Sequence, residues 1–425
     1  MTARVRVAAD PTVYGHRMGS ATLTLLNPDG TPAAGRPVTV RQVRHAFGFG
    51  NIGFDFIGLA NGETGSVDTG FGQAPAAMAE ALAEQWLELF NTVTLPFYWR
   101  TFEPEDGRPD TRRLLATARW FADRGVVVKG HPLVWHTLAP TWLMGLSTAE
   151  VRRRIEERIR REVADFAGVI GLWDAINEVV IMPEFTAEGN AVTPLARELG
   201  RVGMVRLAFD TAREADPSLR LVLNDFNMSA RYERLIEECL DAGIRIDAIG
   251  LQSHMHQGYW GEERTHAVLE RFARFGLPLQ LSETSLVSGE IMPAEIVDLN
   301  DYQVPSWPST VDGEARQADE VSRHYRTLVA HPAVESATYW GITDAGAWLG
   351  APIGLVRTDG SPKPSFDALR GLSKGEWWVP RTTAVADEHG QVVVEGFAGD
   401  YGVELDGGET GFTVEAGADT AVALG

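Results

Sequence analysis

The stretch Gly171-Leu-Trp-Asp-Ala-Ile-Asn-Glu178 begins apolar and β-prone and ends in an amide and a carboxylate. Much later, Leu277-Pro-Leu-Gln-Leu-Ser-Glu-Thr284 has the same form, a short apolar run closed by an acid. A buried strand with a carboxylate at its C-terminal end is how a (β/α)8 barrel presents reactive groups, because all its strand ends meet at one mouth. Two glutamates so placed face each other across that mouth. Paired carboxylates are what glycoside hydrolysis needs.

The rest of the chain fits this geometry. Between residues 46 and 375, strand-like and helix-like segments alternate, the pattern of a parallel α/β fold. Strands are expected at 47–50, 91–95, 126–130, 171–178, 219–225, 248–253, 277–282 and 336–340. Helical periodicity marks 78–90, 112–124, 147–166, 194–214, 232–242, 264–275, 315–330 and 365–372. Ser147-Thr-Ala-Glu150 is a capping box at the start of the third of these. Residues 286–313, rich in Pro, Asp and Ser, interrupt the alternation. The expected fold class is α/β, a (β/α)8 TIM barrel over 46–375. Residues 1–45 and 376–425 alternate with period two between turn signals such as Asn27-Pro-Asp-Gly30, and read as β. They form either one small all-β module or two independent decorations.

Composition narrows the function. At 425 residues and 44% apolar, the chain holds a barrel and an appendage. A net charge of −20 argues against nucleic acid and anionic membrane surfaces as partners. No apolar run reaches the roughly 18 residues of a membrane span. Met-Thr-Ala-Arg-Val-Arg-Val at the start lacks the apolar core of a signal peptide. A cytoplasmic location is the expectation, unless a leader has been removed. Cys239 is the single cysteine, so no internal disulfide forms, and it is expected to be a buried bystander.

Polar residues collect at the C-terminal ends of the expected strands. His131, Trp135 and His136 follow the third, Asn177 and Glu178 the fourth, and Asn224, Asp225 and Asn227 the fifth. Gln252, His254 and His256 follow the sixth, Glu283 the seventh, and Trp340, Asp344 and Trp348 the eighth. Scattered surface polarity would not choose one end of every strand.

These residues carry a resemblance to glycoside hydrolase family ten, the retaining endo-β-1,4-xylanases. Gly130-His-Pro-Leu-Val-Trp-His136 resembles the family's third-strand pattern, and Trp173-Asp-Ala-Ile-Asn-Glu178 its acid/base motif. Asn224-Asp225, Gln252-Ser-His254, Leu281-Ser-Glu283 and Trp340-Gly-Ile-Thr-Asp344 with Trp348 are similar to its later motifs, in order. The matches span about residues 46–372.

The resemblance implies Glu178 as general acid and then base, and Glu283 as the nucleophile of a double displacement. A retaining pair sits roughly 5–5.5 Å apart. Asn177 would bond the sugar 2-hydroxyl, or else serve as a helix N-cap. His131 would bind a sugar hydroxyl and His254 would tune Glu283, the alternative for each being a satisfied core histidine. Asn224 and Gln252 join the substrate-binding set. Trp135, Trp340 and Trp348 would cage a pyranose ring, a role compatible with barrel packing. The expected partner is a carbohydrate, with no metal or organic cofactor, no nucleic acid and no membrane.

Two rival classes follow from the same residues. His254-x-His256 places two imidazoles on one side of a strand, as a metal-dependent amidohydrolase barrel would. A non-catalytic carbohydrate-binding barrel is the other. Departures from the family pattern bear on substrate. Its polar Glu-Asn and Lys after the second strand are replaced by Phe97, Tyr98 and Arg100, an expected aromatic wall. Ser285 replaces an Asp two residues after the nucleophile, and Leu349 replaces an Arg. The insertion at 286–313, with Trp307, is expected to cover and shorten the cleft. An endo-β-1,4-xylanase acting on xylan or xylo-oligosaccharides is the expected activity. The alternative is an exo-acting or specialised β-glycosidase on short oligosaccharides or plant glycosides.

Overall fold

The computed structural model describes residues 2–63 and 76–425. Eight strands close a parallel barrel: β1 Gly48–Ile52, β2 Thr92–Pro96, β3 Val127–His131, β4 Leu172–Asn177, β5 Arg220–Asp225, β6 Ala248–Met255, β7 Leu279–Leu286 and β8 Val334–Tyr339. Each pairs with its sequence neighbours, and β8 returns to β1 through Ser336↔Gly48 to Tyr339↔Asn51. Glycine is required at that closure. A Cβ at Gly50 would lie 2.6 Å from Thr338 Oγ1, and one at Gly48 2.6 Å from Ser336 Cβ.

A helix follows every strand: Ala79–Leu89, Thr111–Ala122, Thr148–Asp165, Val192–Ala215, Ala230–Asp241, Gly261–Ala273, Val311–Ala330 and Pro364–Gly371. The helix Thr148–Asp165 shows why these segments fold as they do. Ser147 and Glu150 complete the reciprocal capping box, and Val151, Ile155, Ile159 and Val163, four residues apart, form the buried stripe. The alternation read from the sequence therefore holds throughout. No described helix is long and apolar enough to cross a membrane.

The terminal segments interleave. One four-stranded sheet has the order Ala3–Arg6, Gln391–Phe397, Met18–Leu25, Asp419–Leu424; the other has Thr382–Val385, Pro37–His45, Gly399–Leu405, Gly408–Val414. Each contains strands from both ends of the chain, so neither end decorates the barrel independently. Alternate residues such as Leu23, Val40, Val392 and Val403 turn inward and join the hydrophobic core that also fills the barrel. Arg17 ties this module to the barrel by donating to the carbonyls of Val329, His331 and Val334.

The insertion after β7 packs as a small satellite core, in which Val287, Met292 and Trp307 meet Ala351 and Ile353 of the loop after β8. Trp307 is only 8% exposed, and its indole N–H donates to the carbonyl of Glu290. Trp307 itself fills this core, while Asn300 of the same insertion accepts from the indole N–H of Trp348 at 3.3 Å.

Candidate active site

Strand β4 ends at Asn177, and the next residue, Glu178, has a left-handed backbone with φ 55°. A non-glycine residue there is strained and persists only where its surroundings hold it. The hold is visible: Glu178 N–H donates to the Asn224 carbonyl at 2.9 Å, and Asn177 N–H to the Val134 carbonyl at 2.9 Å. The Glu178 carboxyl receives Trp135 Nε1 at 2.9 Å on Oε2 and Gln252 Nε2 at 3.3 Å on Oε1.

Glu283 lies within β7, which runs past the end expected from the sequence. The pairing of β7 with β6 shifts register between Gln280 and Glu283, an irregularity of the kind that re-aims side chains near active sites. Glu283 Oε1 accepts from Asn224 Nδ2 at 2.9 Å, and Oε2 lies 3.1 Å from His254 Nε2. One amide relay joins the two acids. Asn224 Nδ2 also donates to Asn177 Oδ1 at 2.8 Å, and Gln252 Nε2 donates to the same oxygen at 3.0 Å. Asn177 is thus a strand-end member of this relay, not a helix cap.

Burial is the largest influence on Glu178 and pushes its carboxyl up; the charge of Glu283 adds to this, the bonds from Trp135 and Gln252 oppose it, and the result is about 8. At neutral pH Glu178 therefore carries a proton that it can give away. Asp225, behind it, is itself pushed up to about 6 by burial, although backbone N–H groups including that of Val180 favour its charged form.

Of the four strand-end histidines, two belong to the site. His131 Nδ1 is 2.7 Å from Asp174 Oδ2, and its Nε2 is 3.9 Å from Glu283 Oε1. His254 lies between Glu283 and Ser285, with Nδ1 3.0 Å from the Ser285 hydroxyl. His136 and His256 are fully buried, without hydrogen-bond partners among the described residues, and burial pushes both down to about 3. They are neutral core residues packed against Phe185 and against Trp307 and Trp348, respectively. Among the described residues, the pair His254 and His256 belongs to no group of three possible metal ligands. Among the described residues, a group of three possible ligands is His266, Glu270 and His331; His331 precedes β8 and lies at the opposite end of the barrel.

The aromatic side of the mouth is built by Ile52, Phe54, Tyr98 and Trp340, with Trp135 and Leu138 against them. Trp340 lies 5.4 Å from the His131 ring and Trp348 5.0 Å from the His254 ring. The expected wall needs correction. Tyr98 belongs to it, 5.8 Å from His131 and 5.5 Å from Trp135. Phe97 points the other way, fully buried among Phe102, Phe166 and Trp173. Arg100 pairs with Glu188 and donates to the Ala139 carbonyl.

Of the candidates from the sequence, Glu178, Glu283, Asn177, Asn224, Gln252, His131, His254 and Trp135 thus meet in one network at the mouth, with Tyr98, Trp340 and Trp348 against its rings, while His136, His256 and Phe97 lie in the core. Sequence reasoning missed Lys129 and Asp174, whose ion contact of 2.8 Å lies beneath His131. The available signal was an ionisable residue within each of two otherwise apolar strands, with Lys129 two residues before His131 and so on its face.

A model of Glycosyl hydrolase family 10 matches residues 68–371. Endo-1,4-beta-xylanase B of Thermotoga neapolitana is 27% identical over 310 residues, covering 68% of this chain and 84% of its own. Endo-1,4-beta-xylanase 3 of Hypocrea jecorina is 25% identical over 284 residues, covering 64% and 72%. Among solved structures, the GH10 from Paenibacillus barcinonensis aligns with a TM-score of 0.61 at 22% identity, over 78% of this chain and 96% of that one. Xylanase 10B from Thermotoga petrophila RKU-1, solved with xylobiose, aligns at 0.60 and 23% identity, over 77% and 94%. At such identities the structural likeness speaks for the fold.

Proposed function

The chain belongs to glycosyl hydrolase family 10 and so hydrolyses O-glycosidic bonds of a carbohydrate; on that premise we propose a retaining endo-β-1,4-xylanase, acting on xylan or xylo-oligosaccharides by double displacement. The observation that carries this is the pair Glu178 and Glu283, joined by one amide relay, with the Glu178 proton held partly by the charge of Glu283.

That coupling runs the cycle. Glu283 attacks C1 of the sugar while Glu178 gives its proton to the departing oxygen. Once Glu283 is esterified its charge is gone, and one of the forces holding the Glu178 proton goes with it. Glu178 then takes a proton from the water that attacks C1, and the sugar leaves with its original configuration. Asn224 holds Glu283 in place through Oε1, and Trp340 and Trp348 supply apolar surface for the ring.

The test is a product time course on linear xylan and xylohexaose, with proton NMR of the first-formed anomer. Mixed internal products with a retained anomer, lost in Glu178→Ala and Glu283→Ala, are expected. An inverted anomer removes Glu283 from the nucleophile role. One observation favours a second reading, an exo-acting or specialised β-glycosidase. The cluster of Ile52, Phe54, Tyr98 and Trp340 makes the β8–β1–β2 side of the mouth largely aromatic, with Asp55 as its carboxylate, whereas β4, β5 and β6 carry the amides. Release of single sugars or an aglycone, without action on xylan, is its signature.

A further inference from the structure

A line of buried polar groups runs up the inside of the barrel and ends at Glu283. At its lower end Glu335 accepts from the exposed Arg220 at 2.9 Å and from Gln280 Nε2 at 2.8 Å. Gln280 Oε1 accepts from Lys129 Nζ at 3.1 Å. The same ammonium lies 2.8 Å from Asp174 Oδ1, and the other oxygen of Asp174 contacts His131. Lys129, Asp174 and His131 are 2%, 1% and 1% exposed, so no solvent screens them.

A buried ion pair is weak evidence for stability, because apolar side chains of similar volume fill such space at least as well. What the pair supplies is a charge count. Asp174 carries one negative charge and Lys129 cancels it. His131 therefore meets a neutral pair at Nδ1 and a single carboxylate at Nε2. Without the ammonium it would stand between two uncompensated carboxylates, a setting that favours an imidazolium. A cation 3.9 Å from Glu283 would pair with the nucleophile and blunt its attack.

We propose that Lys129 is a positioning residue of the reaction: by neutralising Asp174 it keeps His131 an uncharged imidazole, protonated on Nδ1, whose Nε2 faces the sugar site beside Glu283. This rests on Glu283 acting as the nucleophile. The groups that face His131 are Asp174 from β4, Glu283 from β7, and Tyr98, Trp135 and Trp340 around the mouth, with Glu178 beyond Trp135.

Two measurements test it. Imidazole 15N NMR of the wild-type protein at neutral pH should show His131 with one protonated and one unprotonated nitrogen, the proton on Nδ1. Two protonated nitrogens overturn the proposal. The pH profile of kcat/KM is the second. In Lys129→Met the acid limb should move up by about one pH unit, a loss of about tenfold below the limb that disappears at higher pH. In Lys129→Met/Asp174→Asn, where the amide oxygen still accepts from Nδ1 and both charges are gone, the limb should return to its wild-type position. An equal, pH-independent loss in both variants means a merely structural role and overturns the proposal. Should Lys129→Met not fold, the spectrum and the double variant decide. A wild-type protein that hydrolyses no glycoside removes the functional premise, while the spectrum still reports the charge of His131.

Discussion

His254 Nδ1 lies 3.0 Å from the hydroxyl of Ser285, while its Nε2 lies 3.1 Å from Glu283 Oε2. The imidazole is thus aimed at the carboxylate by a neutral hydroxyl, and among the described residues Glu283 is the acid in ion-pair contact with it. Ser285 is fully buried, so its loss is not made good by water. Ser285→Ala should lower kcat about three- to tenfold with KM within about twofold, the scale of one hydrogen bond that matters more in the transition state. Steady-state kinetics on an aryl β-xyloside measures this. Wild-type kcat in Ser285→Ala would separate the ring's orientation from turnover.

The proton on Glu178 sets the alkaline limit of the enzyme. Glycosylation needs this group protonated, so kcat/KM should fall as pH rises through about 8. The Trp135 bond favours the charged form. Removing it in Trp135→Phe should move the alkaline limb to higher pH, opposite to the shift expected if Trp135 held the proton in place. A limb that stays still or moves down in Trp135→Phe would contradict this.

How much of the fold and the site is legible in the sequence depends on the range of the interaction. Strand and helix periods are local, and all eight repeats can be placed from them within a few residues. Glu178 is legible because an apolar run closed by an acid is the local pattern of a buried strand emerging at a polar mouth. The fate of the histidines is not: His131 and His136 sit five residues apart in one motif, yet one lies in a polar network and the other in the core. That difference arises from Asp174 and Phe185, brought in by another part of the chain. Phe97 and Tyr98 show the same limit. Adjacent residues leaving a strand turn to opposite sides, and only the barrel's closure decides which side is the mouth. The extension of β7 through Glu283 rests on a register shift, a matter of pairing that no local pattern carries.

The flanking β-module should matter for stability and not for chemistry. Arg17 is partly buried and donates to three carbonyls at the foot of the barrel. Its truncation leaves those acceptors short of a charged donor, at about 1.5–3 kcal/mol for each such bond, with strong non-additivity. Arg17→Ala should lower the unfolding free energy by about 2–4 kcal/mol and leave kcat/KM within about twofold. Urea unfolding and kinetics on the same preparation check both halves. A large loss of activity at full stability would give the module a part in the site.

The two glutamates should fail in different ways. Glu178→Ala removes the proton donor, so it should lose about 10²–10⁴-fold on substrates with poor leaving groups and far less on activated aryl glycosides, which depart unaided. Deglycosylation still needs a base in that variant. Azide, a nucleophile that needs no deprotonation, should therefore restore turnover and give the β-glycosyl azide. Glu283→Ala removes the bond-forming group, so no leaving group rescues it through the natural route. Azide entering the vacated space should instead attack C1 directly and give the α-glycosyl azide. Anomer assignment by NMR separates the cases. The α-product from Glu178→Ala and the β-product from Glu283→Ala would exchange the two roles, and no rescue of either would leave the carboxylates without the separate duties that their opposite positions across the mouth imply.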